Sequence, residues 1–288
     1  MKTFTKYIFE KIKLSNDRFN KIQPKTKKEL IDLIATEISK HGTSCDLNHI
    51  DISNVYDLTY LFASGKNEQH QDFGLFDGNI SEWKFTPDHD IKYMFFLNKK
   101  IQTNTQDEHT KLNYIADNMF NKTSITELEL SNVLNGNIGE HSFYLCISLK
   151  TIKTTNDTPP YRWDNYDICE GAFTGCHRLT TVELPYNIKT IDEHAFDNCI
   201  KLETIILPGC LEFINRYAFR GCVSLEKIEF KQPIKNIGFN AFGNCKSLKE
   251  IIYPGPKSDF IRIIDSNSAF SGYSKFIVKC SDGEFTVA

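Results

Sequence analysis

"IDEHAFDNCIKLETIILPGCLEF" runs from Ile191 to Phe213, and "INRYAFRGCVSLEKIEFKQPIKN" follows at once, Ile214 to Asn236. Both place Ala-Phe, then Cys, then Leu at the same offsets. The register continues on either side. Phe173, Phe196, Phe219 and Phe242 are each 23 residues apart, as are Cys176, Cys199, Cys222 and Cys245, and Ile168, Ile191, Ile214 and Ile237. Leu179, Leu202, Leu225 and Leu248 form another column, and Val182, Ile205, Ile228 and Ile251 a further one. A fixed period of this length marks a chain wound into stacked coils. One more coil, "IGEHSFYLCISLKTI" with Phe143, Cys146 and Leu149, precedes them at a step of 30, so seven residues are inserted between the two.

The end of each unit alternates as a strand does: Leu179, Val182 and Leu184 point one way, Thr181 and Glu183 the other. A strand this short cannot stand alone. Stacked on identical neighbours, its backbone groups pair and its inward side chains form continuous ladders. Burying each Phe contributes roughly 1.5–3 kcal/mol, and Cys suits a narrower slot as a small apolar residue.

The unit resembles the BspA-type leucine-rich repeat, which reads IGxxAFxxCxxLxxIxLP. "IGFNAFGNCKSLKEIIYP" (237–254) and "ICEGAFTGCHRLTTVELP" (168–185) match it nearly throughout. "IDISNVYDLTYLF" (50–62) and "GNISEWKFTPDHDIKYMF" (78–95) resemble the D-I-S-x-W-x-V-S-N-V-x-D-M-x-x-M-F repeat that accompanies that type, with Phe85-Thr86-Pro87-Asp88 in place of V-S-N-V. Met94-Phe95 and Met119-Phe120 are 25 apart; Phe62 to Phe95 is 33, which implies an eight-residue insertion. The resemblance implies a leucine-rich-repeat solenoid: short parallel β-strands with turns or short helices, a right-handed superhelix and a helical N-terminal cap. It divides the chain into an N-terminal helical segment and cap (1–44) and a solenoid (45–288). Within the solenoid, 45–137 holds the degenerate 25-residue type, 138–263 the 23-residue type, and 264–288 a closing hairpin. Asp282-Gly283 suits the hairpin turn between strands Phe276–Cys280 and Glu284–Val287.

"TKKELIDLIATEISKHG" (26–42) reads as the cap helix. Thr26 and Glu29 form a capping box, Leu30, Leu33, Ile34 and Ile38 an apolar face, and Gly42 the stop. Residues 1–42 hold ten Lys/Arg against five Asp/Glu, while the whole chain is at −3. This basic start is either a solvated charged helix pair or a docking arm for an acidic partner. The segment 1–14, with Phe4, Tyr7, Ile8 and Ile12 on one face, packs on the cap or serves as a docking peptide.

No run approaches the roughly 18–20 apolar residues of a membrane span, so no membrane insertion is expected. Lys6, Glu10, Lys11 and Lys13 interrupt what a signal peptide would need as an apolar core. The expected setting is cytoplasmic or virion-associated, with the cell surface as the alternative. BspA-type proteins are commonly bacterial adhesins, whereas a "YIFEKIKL" start followed by "PKTKKELIDLI" resembles proteins encoded by phages of gut bacteria.

Chemistry is sparse. Nine cysteines contain no C-x-x-C pair, so packing is favoured over metal or cluster ligation. Glu140, Glu170 and Glu193 share a column, readable as a calcium site or, better, as solvated charges. No catalytic motif occurs, and no enzyme activity, cofactor or metal is expected. An acidic body without a nucleic-acid module argues against nucleic-acid binding. What remains is a protein partner on the surface. The insertion "TTNDTPPYRWDNYD" (154–167) offers Tyr161, Arg162, Trp163 and Tyr166, residue types common in binding hot spots, unless Trp163 folds back over the solenoid edge. The outward strand positions form two rows: Thr151, Thr181, Thr204, Lys227, Glu250, and Lys153, Glu183, Ile206, Glu229, Ile252. In the second, Glu183, Ile206, Glu229 and Ile252 are further candidate contacts.

Overall fold

The computed structural model describes residues 21–65, 71–78, 80, 83, 88–98, 115–130, 136–154 and 164–288 except 274, with backbone alone for 265–267. Helix α1 (Lys27–His41) opens it. The Thr26 hydroxyl accepts from the Glu29 amide at 3.2 Å, and Glu29 in turn accepts from the Lys25 amide at 2.7 Å. Gly42, at φ +81°, closes the helix by donating its N–H to the Ile38 carbonyl. Leu30, Ile31 and Ile34 are buried; Leu33 and Ile38 lie partly buried at the margin. Ile31, absent from the expected face, therefore stands at its centre.

The strands are β1 (Glu127–Leu130), β2 (Thr151–Thr154), β3 (Tyr166–Ile168), β4 (Thr181–Val182), β5 (Ile188–Ile191), β6 (Thr204–Leu207), β7 (Phe213–Ile214), β8 (Lys227–Phe230), β9 (Asn236–Ile237), β10 (Glu250–Ile252), β11 (Phe276–Cys280) and β12 (Gly283–Val287). Two rows run along the solenoid. The first comprises β1-β2-β4 and then β6-β8-β10-β11-β12; the second is β3-β5-β7-β9. All pairings are parallel except the terminal β11–β12 hairpin. Register follows the repeat. Ile205, Ile228, Ile251 and Val278 are successive partners in the first row. Ile168, Ile191, Ile214 and Ile237 are successive partners in the second.

Between the rows each coil makes a run of turns, and there the chain forms a third ladder. From Phe95 on, the residues two before and two after the column Phe have positive φ, as at His141 and Leu145, Gly171 and Gly175, His194 and Asn198, Tyr217 and Gly221. The twist turns alternate amides along the solenoid axis. The N–H groups of Gly171, Phe173 and Gly175 donate to the carbonyls of Glu193, Ala195 and Asp197 in the next coil. The same triplet recurs from Tyr93, Phe95 and Leu97 through Asn240, Phe242 and Asn244. Gly171 interrupts the column between His141 and His194 because the His141 ring lies over it; a Cβ there would sit 2.8 Å from that ring.

Inside the ladder the phenylalanines stack. Phe62, Phe95, Phe120, Phe143, Phe173, Phe196, Phe219, Phe242 and Phe270 follow one another with centroids 5.0–5.5 Å apart and planes within 12° of parallel. The coils before and after Ile138 thus feed one column. Its last member comes after an element absent from the expected layout, helix α2 (Lys257–Asn267), which interrupts the period and spans the 263/264 boundary. The hairpin closes the first row where expected, with Gly283 at φ +121° in its turn.

The candidate interaction surface

The cysteine column is an interior device. Cys146, Cys176, Cys199, Cys222 and Cys245 are fully buried. Each donates its thiol to the carbonyl of the Phe one coil earlier, at 3.0–3.4 Å. Burial pushes the thiol up to about 11 at Cys146 and about 12 at Cys245, and well above the ordinary value at Cys176, Cys199 and Cys222. They stay protonated, with neither the thiolate a metal requires nor the nucleophile a reaction requires. Among the described residues no group of three or more His, Cys, Asp or Glu is placed to hold a metal.

The outer faces carry the chemistry. On the first strand row, Glu183 and Lys153 are exposed and Glu229 and Ile252 half-buried. Ile206 is 46 % exposed and Ile277, one coil past Glu250, is 41 % exposed. The charges around them engage one another. Glu250 bridges Lys227 at 3.5 Å and Lys279, and Lys231 holds Glu229 at 2.5 Å. Hydrogen bonding by Lys279 keeps the Glu250 carboxyl below its usual range. Tyr166 does not sit on a free loop. It begins β3, is half-buried, and packs on the core, because the insertion ends where the second row resumes. Tyr161, Arg162 and Trp163 lie outside the described residues, as does the segment 1–14.

The turn face holds groups that the sequence reading missed. Tyr60 and Tyr93 stack at 4.8 Å at the positive-φ position of their coils. Farther along, Arg216 and Arg220 flank the Tyr217 ring at 4.8 Å each. Both arginines reach back one coil: Arg216 to Glu193 at 3.1 Å, and Arg220 to buried Asp197 at 3.1 and 2.6 Å. His194 Nδ1 also meets Asp197, at 2.9 Å. Glu193 therefore pairs with an arginine instead of joining Glu140 and Glu170 around a cation. The visible signal was the coil-to-coil match of Glu193 with Arg216 and of Asp197 with Arg220, both at the repeat step.

The family model for the BspA type leucine rich repeat region matches six copies, over residues 79–160 and 163–276. The chain belongs to the BspA-type leucine-rich repeat family. No curated protein matches this BspA-type chain. Among solved structures it is similar to a leucine-rich repeat protein of T. pallidum, at 28% identity over 44% of this chain and 57% of that one, TM-score 0.38. It is also similar to a leucine-rich repeat protein of Bacteroides ovatus, at 23% identity over 80% and 61%, TM-score 0.43. A third, a leucine rich cell surface protein of Faecalibacterium prausnitzii, shares 17% identity over 54% and 60%, TM-score 0.24. The chain thus spans about six tenths of the length of the structures it matches. No helix among the described residues is long and apolar enough to cross a membrane.

Proposed function

We propose that the chain is a non-catalytic protein-binding scaffold whose partner rests on the outward face of the first strand row. The observation that supports this is the character of that face. Ile206 stays 46 % exposed at its middle, while neighbouring charges are occupied with one another, Lys227 and Lys279 with Glu250 from coil to coil and Lys231 with Glu229 within one coil. An apolar centre inside a polar, already neutralised rim is the composition of a contact patch. Leucine-rich repeat domains generally mediate protein interactions and are typically non-enzymatic, and this face agrees with that habit. The finer proposal is a cytoplasmic or virion-associated role, with surface adhesion to host matrix or glycan as the alternative; fractionating producing cells and purified virions separates them.

The binding reading is tested by placing a photo-crosslinker at residue 206 in producing cells. A discrete protein adduct is expected, and Ile252→Lys should abolish it while the variant keeps its melting temperature. An adduct that survives Ile252→Lys, or none at all, would reject this face and leave the Tyr161–Trp163 segment or residues 1–14 as the contact.

A further inference from the structure

The same face has an order in its charges that a generic contact patch does not need. One outward position per coil follows the register Ile206, Glu229, Ile252, Lys279, and the hairpin adds Glu284 opposite Lys279. In the other direction Glu183 stands one repeat before Ile206, and Lys153 precedes it on β2. Reading outward from Glu229, each side gives an isoleucine, then a charge, then the opposite charge. The signs on the two sides are reversed: Ile206, Glu183, Lys153 against Ile252, Lys279, Glu284. Such a row meets its own reversed copy with every outer charge facing its opposite and apolar facing apolar.

Resting on the protein-binding reading, we infer that this face pairs with the same face of a second copy, solenoid axes antiparallel, about a two-fold along β8. Isologous pairing requires a self-complementary surface, and this row supplies one. Ile206 meets Ile252 of the other copy, Glu183 meets Lys279, which keeps its bridge to Glu250 of its own chain, and Lys153 meets Glu284. The two groups that must face themselves are neutralised beforehand. Glu229 is held by Lys231 at 2.5 Å, and Lys227 by Glu250 at 3.5 Å. A pleated face a few residues wide belongs to the small, weak class of interfaces, so the dimer should be concentration-dependent and should weaken with salt as its exposed charges are screened.

The test is sedimentation equilibrium of the full chain over a concentration series reaching about 1 mM. Wild type should dimerise and Ile206→Lys should not. Glu183→Lys alone places two like-charge pairs in the interface and should weaken the dimer by about tenfold, as should Lys279→Glu alone. Mixed together, the two single variants should dimerise, because position 183 of the Glu183→Lys chain then faces the opposite charge at 279 of the Lys279→Glu chain, while on the other side of the axis the unchanged Lys279 and Glu183 face each other. Melting curves confirm that each variant is folded, and no folding defect can be repaired by mixing. A wild type that stays monomeric throughout, or a mixture no better than its components, overturns the pairing. In either case the crosslink at residue 206 decides the protein-binding reading separately: a foreign adduct keeps that reading with another partner.

Discussion

The coils from Ile138 to Ile252 and those from Cys45 to Leu130 share one phenylalanine column yet fill the slots beside it differently. Five residues before the column Phe, the later coils carry buried Ile138, Ile168, Ile191, Ile214 and Ile237; two earlier ones carry Asp57 and Asp90. Those aspartates accept from the amide two residues on, Asp57 from Thr59 at 2.9 Å and Asp90 from Lys92 at 3.2 Å. The side chain bends the backbone into a turn, and only a bridge, Asp57↔Asp90, stands where the coils from Ile168 to Ile237 have paired strands; at the junction Ile115↔Ile138 and Ile138↔Ile168 are single bridges too. Three residues after the Phe, the later coils carry the cysteines, whereas the earlier ones carry Asn98 and Thr123, both buried. Asn98 Nδ2 donates to the Phe62 carbonyl at 3.0 Å, the bond each cysteine makes to the Phe before it. The slot asks for a small buried donor; sulfur is one answer and an amide another.

The largest expected effect tests whether the two regions are one structure. Phe120 and Phe143, from opposite sides of the divide, stack at 5.3 Å, like their neighbours. Phe95→Ala and Phe196→Ala should therefore each cost ~3–5 kcal/mol, with one denaturant transition retained in both. A transition that splits in Phe95→Ala alone would show that the earlier coils unfold by themselves, as weakly coupled repeats do.

The donor slot sharpens the contrast at somewhat lower energy. Asn98 Nδ2 also reaches the Phe76 carbonyl, at 3.2 Å. Asn98→Ala leaves both carbonyls buried without it and should cost about 2–3 kcal/mol. Asn98→Cys restores only the bond to Phe62 and should fall between Ala and wild type in urea midpoint. If Cys is no better than Ala there, the thiol bond is incidental and the cysteines serve by size alone.

How legible this was in the sequence depended on repetition. The Phe, Cys, Ile and Leu columns were readable because each recurs at one spacing, and the hairpin because Asp282-Gly283 divides two alternating runs. Asn98 was missed because its slot changes residue from coil to coil, and a column is visible only when its occupant repeats. Ala269-Phe270 spells another Ala-Phe, but helix α2 stretches the step from Phe242 and hides it. The arginines at 216 and 220 partner carboxylates one coil back, a relation across coils that reading along a single unit does not expose. The outward positions of the strand rows were readable from alternation alone; Tyr166 was misplaced because an insertion hides where a strand resumes.

One slot went the wrong way in the later region and gives a smaller, opposite effect. The residue before the column Phe is Ala172, Ala195, Ala218, Ala241 and Ala269, all fully buried, but Ser142 in the first coil of that type. Its hydroxyl is buried with no hydrogen-bond partner among the described residues. Ser142→Ala should raise stability by about 1 kcal/mol, since it removes a desolvated donor at almost no change in volume. Ala218→Ser should lower it by a similar amount. A loss on Ser142→Ala would mean the hydroxyl has a partner after all.

The smallest effect lies where the aspartate turns meet the cap. Lys27 Nζ reaches Asp57 Oδ1 at 3.1 Å and the Thr59 hydroxyl at 3.0 Å, tying α1 to a coil that has no strand to hold it. Burial opposes ionisation of Asp57, but hydrogen bonds from Thr59 and Lys27 outweigh it, and the carboxyl titrates below its ordinary value. A carboxyl lowered on folding stabilises the fold above its unfolded value, and that contribution is lost as pH falls through the folded value. Protection against amide exchange in α1, taken relative to the intrinsic rate at each pH, should therefore fall below about pH 4, while that of β6 and β8, held by strand pairing, changes less. Lys27→Met should abolish the acid-dependent part. Because Asp57 is more than half exposed, solvent keeps the effect to a fraction of a kcal/mol, large enough to see in exchange but not in a melting curve. Equal loss of protection in α1 and β6 would mean that acid loosens the whole stack, and the earlier coils would then be no more dependent on their aspartates than the later ones.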